Sequence, residues 1–154
     1  MGNVLLSNLM VRITRGNLKE FGIIENDGSF MNNLHKLARS FKYAFQGMRS
    51  GFRTQLNFRV QCSFAVLAIM AGIFFDLSKG DWLWVILAIG LVLSAELVNT
   101  AMEGLVDLVS PEYNELAGRI KDIAAAAVTI LALNALLIAA IIFIPPVIQL
   151  LKRQ

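Results

Sequence analysis

The chain has 154 residues, of which 56% are apolar and 16% charged, with a mean hydropathy of +0.63. That balance excludes an ordinary soluble domain and a disordered chain, and points to an integral membrane protein. The net charge of +3 is small, but from Met31 to Phe75 the charged residues are Lys36, Arg39, Lys42, Arg49, Arg53 and Arg59, with no acid among them. Beside long apolar runs, such a block faces anionic lipid rather than nucleic acid. Cys62 is the single cysteine and excludes an intramolecular disulfide, and the lone His35 has no second His or Cys with which to build a zinc site.

Residues 1–30 show no sustained periodicity and too short an apolar stretch for a signal sequence. They are expected to be a mobile extension, or residues ahead of the native start, with 31–154 forming one membrane domain. From Leu34 the apolar residues fall at Leu34, Leu37, Phe41, Phe45, Met48, Phe52 and Leu56, steps of three or four that predict an amphipathic helix over about residues 32–57. Its basic residues occupy the other side, as in a helix lying in the membrane surface.

Three spans follow, over about residues 58–76, 82–109 and 120–150. The first contains 16 uncharged residues, Val60 to Phe75, short but sufficient if Arg59 snorkels. The second opens on Trp82 and Trp84, placed as an interfacial aromatic belt. The third is uncharged from Ile123 to Leu151, and Pro145 with Pro146 is expected to end or kink it. Positive-inside bias puts the basic helix and the N-terminus in the cytoplasm and the "DLSKGD" turn outside. Lys152 and Arg153 weigh against this but are outnumbered.

The second span carries "SAELVNTAMEGLVD", in which Glu96, Asn99, Thr100, Glu103 and Asp107 fall within about 100° of helical arc. If Trp82 marks the outer interface, Glu96 lies about 21 Å and Glu103 about 31 Å further along the axis. In a core about 30 Å thick, Glu96 is then well into the cytoplasmic half and Glu103 at the cytoplasmic boundary. An ion pathway wants carboxylates nearer the midplane, which disfavours a small channel subunit. Carboxylates at headgroup depth can hold a divalent metal against phosphate oxygens and take a proton from a lipid hydroxyl. The same stripe also suits an interhelical hydrogen-bond network.

"ELVNTAMEGLVDLVSPEYNELAGRIKD", preceded by "SFKYAFQGMRSGF" and "NFRV", resembles the prokaryotic diacylglycerol kinase and undecaprenol kinase family from about Lys36 to the end of the third span. The resemblance implies an all-α bacterial inner-membrane protein with a surface helix and three transmembrane helices per chain. It also implies a homotrimer with shared sites that transfers the γ-phosphoryl of MgATP to a lipid alcohol, diacylglycerol or undecaprenol, with no nucleic-acid partner. Diacylglycerol is preferred as the family's commonest name, while "SFKYAF" and "NFRV" lean toward the undecaprenol kinases. By motif, Glu96 would be the general base and Asn99 would shape its site. Glu103 would hold Mg²⁺. ATP contacts are implied at Lys36, Tyr43, Gln55, Glu103, Glu112, Tyr113, Asn114, Lys121 and Asp122, and lipid contacts at Arg49, Phe52 and Glu96. Two positions depart from the family. Gln55 stands where a second metal-binding Glu is usual, so the metal site is weakened and the alternative of a catalytically weak relative, acting as a membrane interaction or lipid-binding protein, stays open. Asn114 stands where some relatives have His.

Overall fold

A computed structural model describes residues 27–112 and 114–152, all of whose regular structure is helical. Four helices follow in order: α1 (Asp27–Thr54), α2 (Leu56–Phe74), α3 (Lys79–Val109) and α4 (Glu115–Leu151). Two units are distinguished, Met1–Gly47 and Met48–Gln154. In the first, α1 begins within the expected extension, and the rest of that extension, residues 1–26, lies outside the described residues. Leu34, Leu37, Phe41 and Phe45, the apolar stripe of this part of α1, are all exposed.

The second unit begins with the last turns of α1. The expectation that this helix continues to residue 57 is corrected: it stops at Thr54, and Gln55 adopts extended backbone (φ −106, ψ 120) before α2 begins. No Gly or Pro marks the break. It is inexpensive because the Gln55 amide still donates to the Gly51 carbonyl at 2.9 Å, and the Arg59 amide reaches the Gln55 carbonyl at 3.4 Å, so neither group is orphaned. Gly51 is buried here. A Cβ at that position would lie 2.9 Å from Leu97 Cδ2, so glycine is what lets the end of α1 approach α3.

Helices α2, α3 and α4 are each long and apolar enough to cross a membrane. Among the described residues only Phe58, Val85, Ala88, Val92, Val106 and Val128 form a buried apolar core, whereas Leu83, Leu108 and Ile141 are more than 70% exposed. Burial within the chain therefore does not account for these helices. In lipid every backbone polar group must be satisfied within its own segment, and a helix does this without help from neighbours.

Helix α2 closes with a left-handed residue, Asp76 (φ 50). The Leu77 amide donates to the Gly72 carbonyl at 3.1 Å and the Asp76 amide to the Ile73 carbonyl at 3.3 Å, the two bonds of a Schellman closure with Asp in glycine's usual place. Helix α3 starts at once: the Asp81 amide donates to Ser78 Oγ at 3.2 Å, and that hydroxyl donates to Asp81 Oδ2 at 2.7 Å, an N-cap that occupies its own acid. Trp82 is half-buried against Gly72, where a Cβ would come within 2.9 Å of its ring. Its indole thus packs across the turn, while Trp84 stays exposed.

Helix α3 packs against both neighbours, more extensively against α4 than against α2. Helix α4 runs through Pro145 and Pro146 to Leu151, so of the two expectations for the prolines, an end or a kink, the first is corrected, and the expected span to about residue 150 agrees with the helix. Each proline removes one donor from the ladder. In an apolar stretch there is no water to satisfy an unwound backbone, and continuing the helix leaves fewer groups unpaired.

Candidate functional site

Along α3 the buried positions are Val85, Ala88, Val92, Glu96, Asn99 and Val106, so the polar stripe seen in the sequence continues the face that packs on the neighbouring helices. Glu96 (2% exposed) and Asn99 (6%) are the buried polar or charged side chains among the described residues. A buried carboxylate is tolerated only with partners. Gln61 of α2 supplies one, donating Nε2 to Glu96 Oε2 at 3.0 Å. One turn on, Thr100 Oγ1 donates to the Glu96 carbonyl at 2.9 Å. Asn99 Nδ2 donates to Glu103 Oε1 at 2.9 Å. Two amides thus hold two carboxylates. Their own carbonyl oxygens, Gln61 Oε1 and Asn99 Oδ1, are buried without a hydrogen-bond partner among the described residues.

These side chains line a cleft of about 270 Å³. Asn57 and Gln61 of α2 with Glu96 and Asn99 of α3 form its polar wall, and α4 closes it with Ala125, Val128, Ala132 and Leu133. Thr129 also reaches the cleft, but its hydroxyl donates to the Ala125 carbonyl at 3.0 Å. The cleft thus has polar groups on one side and apolar residues on the other, a lining with the two-sided chemistry that an amphiphile would need.

Further along α3, Asp107 accepts a hydrogen bond and ion pair from Lys121 of α4, which brings the half-buried Lys121 to the same end of the hairpin as Glu103. Asn114 has a local task. Its Oδ1 accepts from the Leu116 amide at 2.9 Å and the Ala117 amide at 3.2 Å, so it is the N-cap of α4. Glu112 and Asp122 are exposed, and Tyr113 lies outside the described residues. Arg49 and Phe52 are exposed in the last turns of α1, and Gln55 is half-buried at the break. Lys36 and Tyr43 belong to the first unit and are exposed.

No three His, Cys, Asp or Glu side chains come together among the described residues to hold a metal ion unaided. Mg²⁺ bound to nucleotide needs only one or two protein carboxylates, with phosphates and water completing its shell. Glu103, its carboxylate oriented by Asn99, fits that demand.

Residues 42–143 match the family model described as "Prokaryotic diacylglycerol kinase". The chain belongs to this family. Its relatives include the undecaprenol kinase of Bacillus subtilis (strain 168), 36% identical over 74% of this chain and 93% of that protein. The diacylglycerol kinase of Synechocystis is 38% identical over 73% of this chain and 65% of its own length. The diacylglycerol kinase of Haemophilus influenzae is 37% identical over 63% and 82%. With three apolar helices and these bacterial relatives, this family member is a multi-pass membrane protein of a lipid kinase family. Asn57 and Gln61 were not among the residues expected to form its site. The signal was present, since two amides at the start of an apolar span need partners there.

Proposed function

We propose that this chain transfers the γ-phosphoryl group of ATP to the hydroxyl of a membrane lipid alcohol at the cytoplasmic face, with undecaprenol as the first acceptor and diacylglycerol as the second. The observation that carries the reading is Glu96, a carboxylate buried in a cleft otherwise free of titratable side chains and open to an amphiphile. Undecaprenol comes first because the Bacillus relative bearing that name is matched over 93% of its length, and because "SFKYAF" and "NFRV" lean the same way.

Glu96 takes the proton of the lipid hydroxyl as that oxygen forms its bond to the γ-phosphorus and the bond to the leaving ADP oxygen breaks. Asn99 orients Glu103, and Lys121 leaves Asp107 for phosphate. When bound with the nucleotide, Mg²⁺ would supply charge neutralisation; Glu103 would hold it, with Gln55 offering a neutral carbonyl oxygen. Lys36, Tyr43, Glu112, Tyr113, Asn114 and Asp122 are the further nucleotide contacts of this reading, and Arg49 and Phe52 border the lipid. Three copies with shared sites form the working unit, with N-termini in the cytoplasm.

The test is phosphoryl transfer by purified protein in bilayers, offered each alcohol with MgATP. Turnover of undecaprenol exceeding that of diacylglycerol is expected. Turnover of neither overturns the reading and favours a catalytically weak lipid-binding relative.

A further inference from the structure

We propose that Gln61 is a positioning residue for this reaction, fixing which carboxylate oxygen of Glu96 meets the acceptor hydroxyl; the inference rests on the kinase reading above. Glu96 has three side-chain torsions and needs a donor to hold it. Its own helix supplies none to the carboxylate. The Asn99 amide is spent on Glu103, and the Thr100 hydroxyl on the Glu96 main-chain carbonyl. On the facing side of the cleft, α4 offers one polar group, Thr129, whose hydroxyl is spent on Ala125. On α2, Asn57 shares the wall but it is Gln61 that bonds the carboxylate, Nε2 lying 3.0 Å from Glu96 Oε2.

The bond crosses from α2 to α3, so it ties the base to a second helix. It also selects an oxygen. Oε2 is occupied by Gln61, while Oε1 carries no hydrogen bond among the described residues, and since Glu96 lines the cleft, Oε1 is the oxygen left free for an acceptor hydroxyl. The amide cannot turn over without setting its own carbonyl oxygen against the carboxylate, so its orientation follows from the pair. As a neutral donor it orients Glu96 without placing a full positive charge beside it, which would weaken a base.

A base displaced by about an ångström loses on the order of 100-fold in rate. Gln61→Met keeps length and removes the donor. In the full-length protein in bilayers, kcat should fall roughly 10- to 100-fold, with KM for MgATP within about twofold of wild type. In a Glu96→Gln background, measured with radiolabelled ATP, Gln61→Met should cause no further loss, because a residue acting only through Glu96 has nothing left to position. Gln61→Ala, run in parallel, serves if the Met variant does not assemble. Wild-type kcat in the assembled variant, or an undiminished loss in the Glu96→Gln background, overturns the inference and leaves the kinase reading intact. Wild-type turnover by Glu96→Gln alone overturns the base role, and the inference with it.

Discussion

Asn99 Nδ2 lies 2.9 Å from Glu103 Oε1, so one residue both walls the cleft beside Glu96 and orients the carboxylate one turn further along α3. The lipid-facing and phosphate-facing parts of the proposed site are thereby joined on one rigid element. Replacing Asn99 by Leu should disturb both parts: lower kcat and a higher Mg²⁺ concentration for half-maximal activity. An activity titration with Mg²⁺ at saturating ATP separates the two effects, and a change in kcat alone would show that Glu103 does not depend on Asn99.

Glu96→Gln keeps shape and removes the base. Turnover should fall by about 10² to 10⁴, while nucleotide binding, followed by a fluorescent ATP analogue, stays close to wild type.

Gln55→Glu should lower the Mg²⁺ concentration needed for half-maximal activity, since a carboxylate is a stronger ligand for a hard cation than an amide oxygen. The gain should vanish in a Glu103→Gln background. Indifference to Gln55→Glu at limiting Mg²⁺ would mean that Gln55 is not a ligand.

Gly51 faces Leu97, where a Cβ would sit 2.9 Å from Cδ2. Gly51→Val should therefore destabilise the protein by about 1–3 kcal/mol, and Leu97→Ala should recover part of the loss. Unfolding in mixed micelles measures both, and additive effects would place the two side chains out of contact.

At Asn114 the cap and any nucleotide contact can be separated. Asn114→Ala should cost about 1 kcal/mol of stability through the lost cap. Asn114→Asp keeps the capping oxygen and so should keep the stability, while its charge raises KM for ATP.

The parts of this fold that were legible in the sequence are those governed by periodicity within one helix. Three apolar helices follow from the length of their uncharged runs and the polar stripe of α3 from steps of three and four, and the buried run from Val85 through Asn99 to Val106 is that stripe prolonged. What was not legible depends on partners from elsewhere in the chain. The break at Gln55 carries no glycine or proline and is set where α1 ends against Leu97 through Gly51. Gln61 looked like one more uncharged residue of a span, because its partner stands 35 residues away. At Asn114, family resemblance suggested a nucleotide contact, whereas the local sequence, an Asn before a helical run, already spelled a cap. Pro145 and Pro146 left two outcomes open, an end or a kink, and the end did not occur: the rule that proline ends a helix assumes water is at hand to solvate what is released.

The Schellman closure at Asp76 and the Ser78 cap bear on how the protein enters the membrane. Between Gly72 and Asp81 the backbone bonds of the turn are made by the turn's own residues, and the Asp81 carboxylate is engaged by Ser78. The α2–α3 pair therefore closes the backbone of its tip without α4, whose contribution there is the packing of Phe143 on Phe75, and it can insert as a helical hairpin while the rest of the chain is still being synthesised. A nascent chain stopped after Val109 should already resist alkaline extraction from membranes. Asp76→Pro, which forbids the left-handed conformation, should abolish that resistance before any effect on the finished enzyme could be assayed.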